Sequence, residues 1–202
     1  MGVAERKQRE KLALRQEILT AARHLFAKEG YESVSMRRIA EKIEYSPTTI
    51  YLHFKDKDDL IQQLCEESFA LLTRRIQKAV GTGGDPVERL KKGLRAYVEF
   101  GIQHPNHYRT TFMTPHEPPD GEKNMQESEG MRAFQFLAQS VTECVKAGRF
   151  RETDVMAISQ ALWSVVHGVT SLQITHYRCF PWVEQNRLID LTLDAAIGGF
   201  AR

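Results

Sequence analysis

Two short helical patterns separated by a three-residue break constrain this chain more than any other feature. They lie in Ser35–Lys57, SMRRIAEKIEYSPTTIYLHFKDK. Met36, Ile39, Ala40 and Ile43 recur at i, i+3, i+4 and i+7, the apolar face of a two-turn helix. Ser35 precedes it as the natural N-cap. Glu44-Tyr45-Ser46 breaks the pattern, and Ser46-Pro47 restarts it, with a capping hydroxyl followed by proline at the first helical position. Ile50 and Phe54 form the inner face of the second helix, while Thr48, Thr49, Tyr51 and His53 face outward. A helix that buries two side chains and displays hydroxyls, a phenol and an imidazole is shaped to touch a polar surface. The spacing predicts a helix-turn-helix, whose second helix enters a DNA major groove.

The rest of the chain reads as all-α. A first helix is expected over Leu12–Glu29, with Leu14, Ile18, Ala22 and Leu25 inward and Gly30 as its stop; the charged residues 1–11 read as a frayed tail, with Arg6, Lys7, Arg9 and Lys11 along a phosphate backbone as the alternative. Asp56 and Asp59 resemble a capping box opening a long helix to Val80. Asp85-Pro86-Val87-Glu88 starts another, which ends before His104-Pro105. A short helix Pro105–Met113, a loop 114–121 placed to act as a lid, and three long helices follow. These are expected over 122 or 127–147, over 154–177 capped by Thr153 and interrupted at Gly168, and over 182–200. The total is about nine helices: a three-helix head in residues 1–56, and a helical effector-binding and dimerisation body in 57–202, joined by the helix 57–80.

Composition narrows the function classes. A hydrophobic share of 42% beside a charged share of 27% describes a chain that buries a good core. The net charge of +2 argues for no partner by itself. Cys65, Cys144 and Cys179 are odd in number and widely spaced, which suits a reducing, cytoplasmic location better than a disulfide framework. No continuous apolar run approaches the roughly 18 residues that span a bilayer, and no membrane association is expected. His104, His107 and His116 lack a matching Cys or carboxylate pattern and read as ordinary histidines, so no metal or cofactor is expected. With no glycine-rich phosphate loop and no nucleophile elbow, the chain does not read as an enzyme.

Once these residues are assembled, AARHLFAKEGYESVSMRRIAEKIEYSPTTIYLHFKDKDDL resembles the N-terminal domain of the TetR family of bacterial transcriptional regulators. The Ile39-Ala40 pair, the Ser46-Pro47 start and the run Ile50-Tyr51…His53-Phe54…Lys57…Leu60 carry the likeness. Two positions depart from it: Arg38 stands where the family often has an acid, and Glu44-Tyr45 where a small-residue turn is usual. ALWSVVHGVTSLQI, with Trp163, His167, Gly168 and Leu172, is similar to the Trp-His-Gly type of TetR C-terminal domain, as is HPNHYRTTFM.

The resemblance implies a homodimeric repressor on a palindromic double-stranded operator, released by a small hydrophobic or aromatic effector. The alternative is an effector-independent regulator or activator whose body only dimerises. Tyr51, His53 and Lys57 would contact phosphates. Thr48 and Thr49 would meet base edges, and Arg37 a guanine or a phosphate. For each, a core or plain surface role remains the competing reading. Tyr97, Phe100, Phe112, Met113, Phe134, Trp163 and His167 are the candidate effector residues, against the competing reading of a solid core. The last two helices are the expected dimer interface. Val155, Ile158, Leu162, Val165, Val169 and Leu172 form one stripe of it, and Ala195, Ala196, Gly198 and Gly199 allow close approach.

Overall fold

The computed structural model describes residues 2–114 and 122–202. Among the described residues the regular structure is helical, apart from one isolated antiparallel bridge between Phe150 and Ala201. The described residues form ten α-helices against about nine expected: α1 Val3–Glu29, α2 Met36–Lys42, α3 Pro47–Tyr51, α4 Lys57–Val80, α5 Pro86–Gln103, α6 Pro105–Tyr108, α7 Glu122–Glu127, α8 Glu129–Lys146, α9 Val155–His176 and α10 Gln185–Gly198. The helix expected over 105–113 is α6 followed by a π-helical turn, Arg109–Met113. The loop expected to form a lid lies outside the described residues from position 115 onward, as does His116.

The chain divides into two compact units: Met1–Ser68 with Asn106–Asp120, and Phe69–Pro105 with Gly121–Arg202. The division therefore falls inside α4 rather than at the expected 56/57 boundary. Leu60, Ile61 and Leu64 in the first turns of α4 are fully buried, which ties that half of the helix to the first unit.

In the first unit, Ile18, Leu19, Ala22, Leu25 and Phe26 of α1 are buried together with Val34, Met36, Ile39, Ala40, Ile50 and Phe54. Leu14, expected on this stripe, is only half-buried. Residues 3–11, expected to fray, continue α1 as helix, with the Gly2 amide donating to Glu5 at 2.9 Å. Both expected caps form: Ser35 Oγ accepts from the Arg38 amide at 3.1 Å, and Ser46 Oγ accepts from the Thr49 amide at 3.2 Å. The Arg38 side chain, which cannot complete a capping box, pairs with Glu29 at 3.3 Å. Between the two helices Glu44 takes a left-handed backbone, φ 61°, where glycine is the low-cost residue. At α4 both carboxylates accept backbone bonds, but Asp59 takes the amide of Lys55 and not that of Asp56, so the expected capping box is shifted by one residue. Asp56 accepts from the Asp59 amide at 2.8 Å, and Asp59 accepts from the Lys55 amide at 2.9 Å.

In the second unit α9 packs against α5, α8 and α10. Ile158, Leu162, Val166 and Val169 of α9 meet a core that includes Leu90, Leu94, Val98 and Phe100 of α5, Val141 of α8, and Ile189, Leu193 and Ile197 of α10. Ion pairs tie α5 to its neighbours: Arg95–Asp190 and Lys91–Asp194 to α10, and Arg89–Glu143 at 2.9 Å to α8.

Several helix starts differ from expectation because another residue supplies the cap. Ser128 separates α7 from α8, accepting from the Met131 amide at 3.2 Å. Asp154, not Thr153, caps α9, accepting from Ala157 at 3.0 Å. Glu184 caps α10, so Trp182 and Val183 precede that helix. Gly168 does not interrupt α9. Although α9 has no unbroken apolar run, its best window reaches a mean hydropathy of 1.3, long and apolar enough to cross a membrane by composition alone. That apolarity serves a helix that packs against three others on one side and carries small residues on the other.

Candidate nucleic-acid interface and effector cluster

The head presents α3 as a short displayed helix. Ile50 is fully buried and holds it from beneath, as does Phe54 just past its end, while Tyr51 remains 54% exposed. Thr48 is exposed. Thr49 is half-buried, with its hydroxyl 2.9 Å from the Ser46 hydroxyl, so part of its polar capacity serves the cap. Arg37 stands on the exposed side of α2 in an i,i+4 pair with Glu41 at 3.2 Å, which a stronger anion displaces at little cost.

His53 is half-buried, and its Nδ1 is a buried atom with no partner in the protein. Burial holds its pKa below the ordinary histidine value, and the charges of Lys11 and Arg15 lower it further. The ring is therefore neutral at pH 7 in the free protein.

Lys57 has a partner within the fold. Its ammonium donates to the Tyr31 carbonyl at 3.0 Å and lies 4.0 Å from the centroid of the Tyr31 ring. The Tyr31 hydroxyl in turn bonds Asp58, and burial with that carboxylate raises the phenol's pKa well above its ordinary value. One of the three Lys57 donors is thus committed to the fold.

A cleft of about 620 Å³ opens beside α3, lined by Glu10, Lys11, Leu14, Tyr45, Leu52 and His53. Of these His53 is an expected DNA contact, and Lys11 belongs to the charged tail whose alternative reading is a phosphate contact. Leu52, 74% exposed, is the residue whose type gave least warning, because an outward leucine just past a helix end carries no polar signal.

In the second unit the structure brings Tyr97, Phe134 and Trp163 together. The Trp163 indole N–H donates to the Tyr97 hydroxyl at 3.3 Å, and its ring meets Phe134 edge-on with centroids 6.1 Å apart. Trp163 keeps 40% of its surface exposed, so the cluster is not a sealed core. His167 lies one turn along the same face, and burial lowers its pKa. Phe100 is buried nearby in α5. Phe112 and Met113 belong to the first unit, where the Phe112 ring packs against Tyr108 with centroids 4.8 Å apart.

Among the described residues no group of three His, Cys, Asp or Glu side chains is placed to hold a metal ion. Burial pushes the Cys65 thiol up to about 12 and the Cys144 thiol up to about 11, so neither is a thiolate at neutral pH.

The tetracyclin repressor-like C-terminal domain model matches residues 90–196, and that of the bacterial regulatory proteins, tetR family, matches residues 18–64. This chain belongs to the tetR family.

The tetR match in the head runs from Ile18, the first buried residue of α1, to Leu64, and so takes in α2, α3 and the start of α4. An HTH-type transcriptional regulator of Staphylococcus aureus is 31% identical over 90 residues, 45% of this chain and 49% of that protein. The HTH-type transcriptional repressor AcnR of Corynebacterium diphtheriae is 45% identical over 56 residues, 28% of this chain and 30% of AcnR. The matched stretch thus spans at most about half the length of these curated relatives. The fold extends further than that. The fatty acid degradation regulator FadR of Bacillus halodurans superposes with a TM-score of 0.75 at 18% identity, covering 93% of this chain and 97% of that one.

Proposed function

We propose that this tetR-family protein is a homodimeric DNA-binding regulator and not an enzyme. In this reading it represses from a palindromic operator and is released by a small hydrophobic or aromatic effector. The observation that carries the reading is the display of α3: Tyr51 and Thr48 stand outward while Ile50 and Phe54 are buried beneath. In this reading Tyr51 and His53 contact phosphates, Thr48 and Thr49 face base edges or thymine methyls, and Arg37 exchanges Glu41 for DNA. Lys57 offers its two remaining donors to a phosphate.

Two heads about 34 Å apart on one face of the duplex require a two-fold dimer. The surface we assign to it differs from the stripe expected on α9. Ile158, Leu162 and Val169 are core residues of their own chain. The opposite side of α9 carries Ala157, Ala161, Ser164 and Gly168, and the exposed side of α10 carries Leu191, Ala195 and Gly198. A Cβ placed on Gly168 or Gly198 would meet nothing within 4 Å, so the single chain has no use for either absence. Small residues on both helices favour close approach by a second copy.

For the effector, the support is the partly open Tyr97–Phe134–Trp163 cluster, a mostly aromatic wall in which the Trp163 indole donates to the Tyr97 hydroxyl. A ligand releases DNA only if it binds the non-binding state more tightly, by several kcal/mol. The test is a gel-shift assay on DNA upstream of the gene and its neighbours, repeated with aliphatic and aromatic candidates. We expect a shifted band that a subset of ligands reverses. Absence of any retarded complex at low salt would remove the reading.

A further inference from the structure

The first three turns of α1 serve no purpose that the fold reveals. Residues 4–13 are all exposed, Leu12 included, and they precede the stretch that matches the family's N-terminal domain. Their charge is uneven. Glu5 is occupied by the Gly2 amide, and Glu10 is drawn to Arg6 at 3.4 Å. Among the described residues Lys7 and Lys11 have no carboxylate within ion-pair distance. They are four residues apart, so they stand on one face. That face leads into the cleft beside α3, which Lys11 itself lines.

We propose that Lys7, Lys11 and this cleft hold one sugar–phosphate strand of the duplex beside the groove that α3 reads. The inference rests on the regulator reading above and adds a second DNA-contacting element to it. The two lysines are about 6 Å apart along the helix axis at 1.5 Å per residue, and phosphates on one strand recur about every 3.4 Å. Two ammonium groups therefore match a short run of phosphates. A nucleic-acid strand alternates anionic phosphate with apolar deoxyribose, and the cleft offers both partners: Lys11 and His53 for the phosphate, Leu14, Leu52 and Tyr45 for the sugar. His53 joins the two surfaces, since it lines the cleft and lies two residues beyond Tyr51 at the end of α3. Its Nδ1 is a buried atom without a hydrogen-bond partner in the protein. Glu10 alone opposes the occupant, and Arg6 neutralises it.

The salt dependence of binding tests this. Affinity for a fluorescein-labelled mixed-sequence duplex of about 40 base pairs, long enough for both heads, is followed by anisotropy from about 50 to 200 mM salt. Each neutralised phosphate contributes about 0.9 to the slope of log K against log salt. In a dimer, Lys7→Ala or Lys11→Ala alone should flatten the slope by about 1.8, and the two together by about 3.6. Arg9→Ala removes a charge from the far side of the same helix and should leave the slope unchanged. All three positions are exposed, and alanine favours the helix, so melting should stay at the wild-type value. A double variant with the wild-type slope overturns the proposal. So does an Arg9→Ala loss equal to that of Lys11→Ala, which would mean diffuse attraction and no seated strand. Wild-type protein that binds no duplex removes the regulator reading itself, a result distinct from either.

Discussion

The Lys57 ammonium donates to the Tyr31 carbonyl at 3.0 Å and sits over the same residue's ring at 4.0 Å. One side chain thus closes the end of α1 onto the start of α4. A partly exposed cation–π contact and a charge-assisted hydrogen bond together contribute about 1–2 kcal/mol. Lys57→Met keeps the stem and removes the charge. It should lower the melting temperature by several degrees and also flatten the salt slope of DNA binding, because two donors remain for a phosphate. Lowered melting with an unchanged slope would confine Lys57 to the fold, and calorimetry beside anisotropy separates the two.

Glu44 holds φ 61° in the turn between α2 and α3. A left-handed non-glycine residue costs about 1–2 kcal/mol, and glycine returns about half of that as extra chain entropy in the unfolded state. Glu44→Gly should therefore raise stability by about 0.5 kcal/mol, a shift of a few degrees or less. Glu44→Ala retains the strain and should show no such gain. Equal melting of the glycine and alanine variants would count against strain at this turn.

The head was legible in the sequence because its determinants are local. Ser35 and Ser46 cap within four residues of themselves, and Met36, Ile39, Ile50 and Phe54 declare their faces by spacing. The body was less legible because α9 is apolar nearly all round. Ile158 and Ala161 look alike in a hydropathy pattern, and only the positions of α5, α8 and α10 decide which one faces inward. The Lys57–Tyr31 pair and the cleft at Lys11 and Leu52 join residues far apart in the chain, so no local pattern announces them. The shift of a cap from Thr153 to Asp154 is of another kind: both residues can cap, and a single residue of register separates them.

Gly168 offers a clean test of the dimer surface. A Cβ there meets no atom of its own chain within 4 Å, and any residue other than proline suits a helix interior better than glycine. Gly168→Glu should leave the melting of the isolated chain no lower than expected for a monomer, with normal helical content. It should turn the dimer into a monomer by light scattering at micromolar concentration and abolish tight DNA binding. A variant that remains dimeric would move the interface elsewhere.

Trp163 gives a test of the proposed effector site. Its indole lies edge-on to Phe134 and donates to Tyr97, so an occupant at this wall changes its fluorescence. An apolar ligand should quench or shift wild-type emission and raise the melting temperature. Trp163→Phe keeps an aromatic wall but removes the donor. It should lose the fluorescence response, keep most of the fold's stability, and weaken release of DNA. Ligand-dependent release at the wild-type concentration in this variant would place the effector away from Trp163.

The proposed phosphate contact of His53 predicts a pH dependence of definite sign for DNA binding. Burial first, then Lys11 and Arg15, holds its pKa below the ordinary value of 6.5 in the free protein. A group of this kind binds its proton more tightly in the unfolded chain, so it lowers the stability of the free head as pH falls below about 6.5. A phosphate against the ring reverses the local field and favours the imidazolium, so DNA binding takes up a proton. Affinity should therefore rise between pH 8 and pH 6, about tenfold for each pKa unit of difference between bound and free states. His53→Gln keeps a hydrogen-bond donor but cannot titrate, and should flatten the pH profile while retaining much of the affinity at pH 8. A profile unchanged by that substitution would show that His53 does not meet a phosphate in the complex.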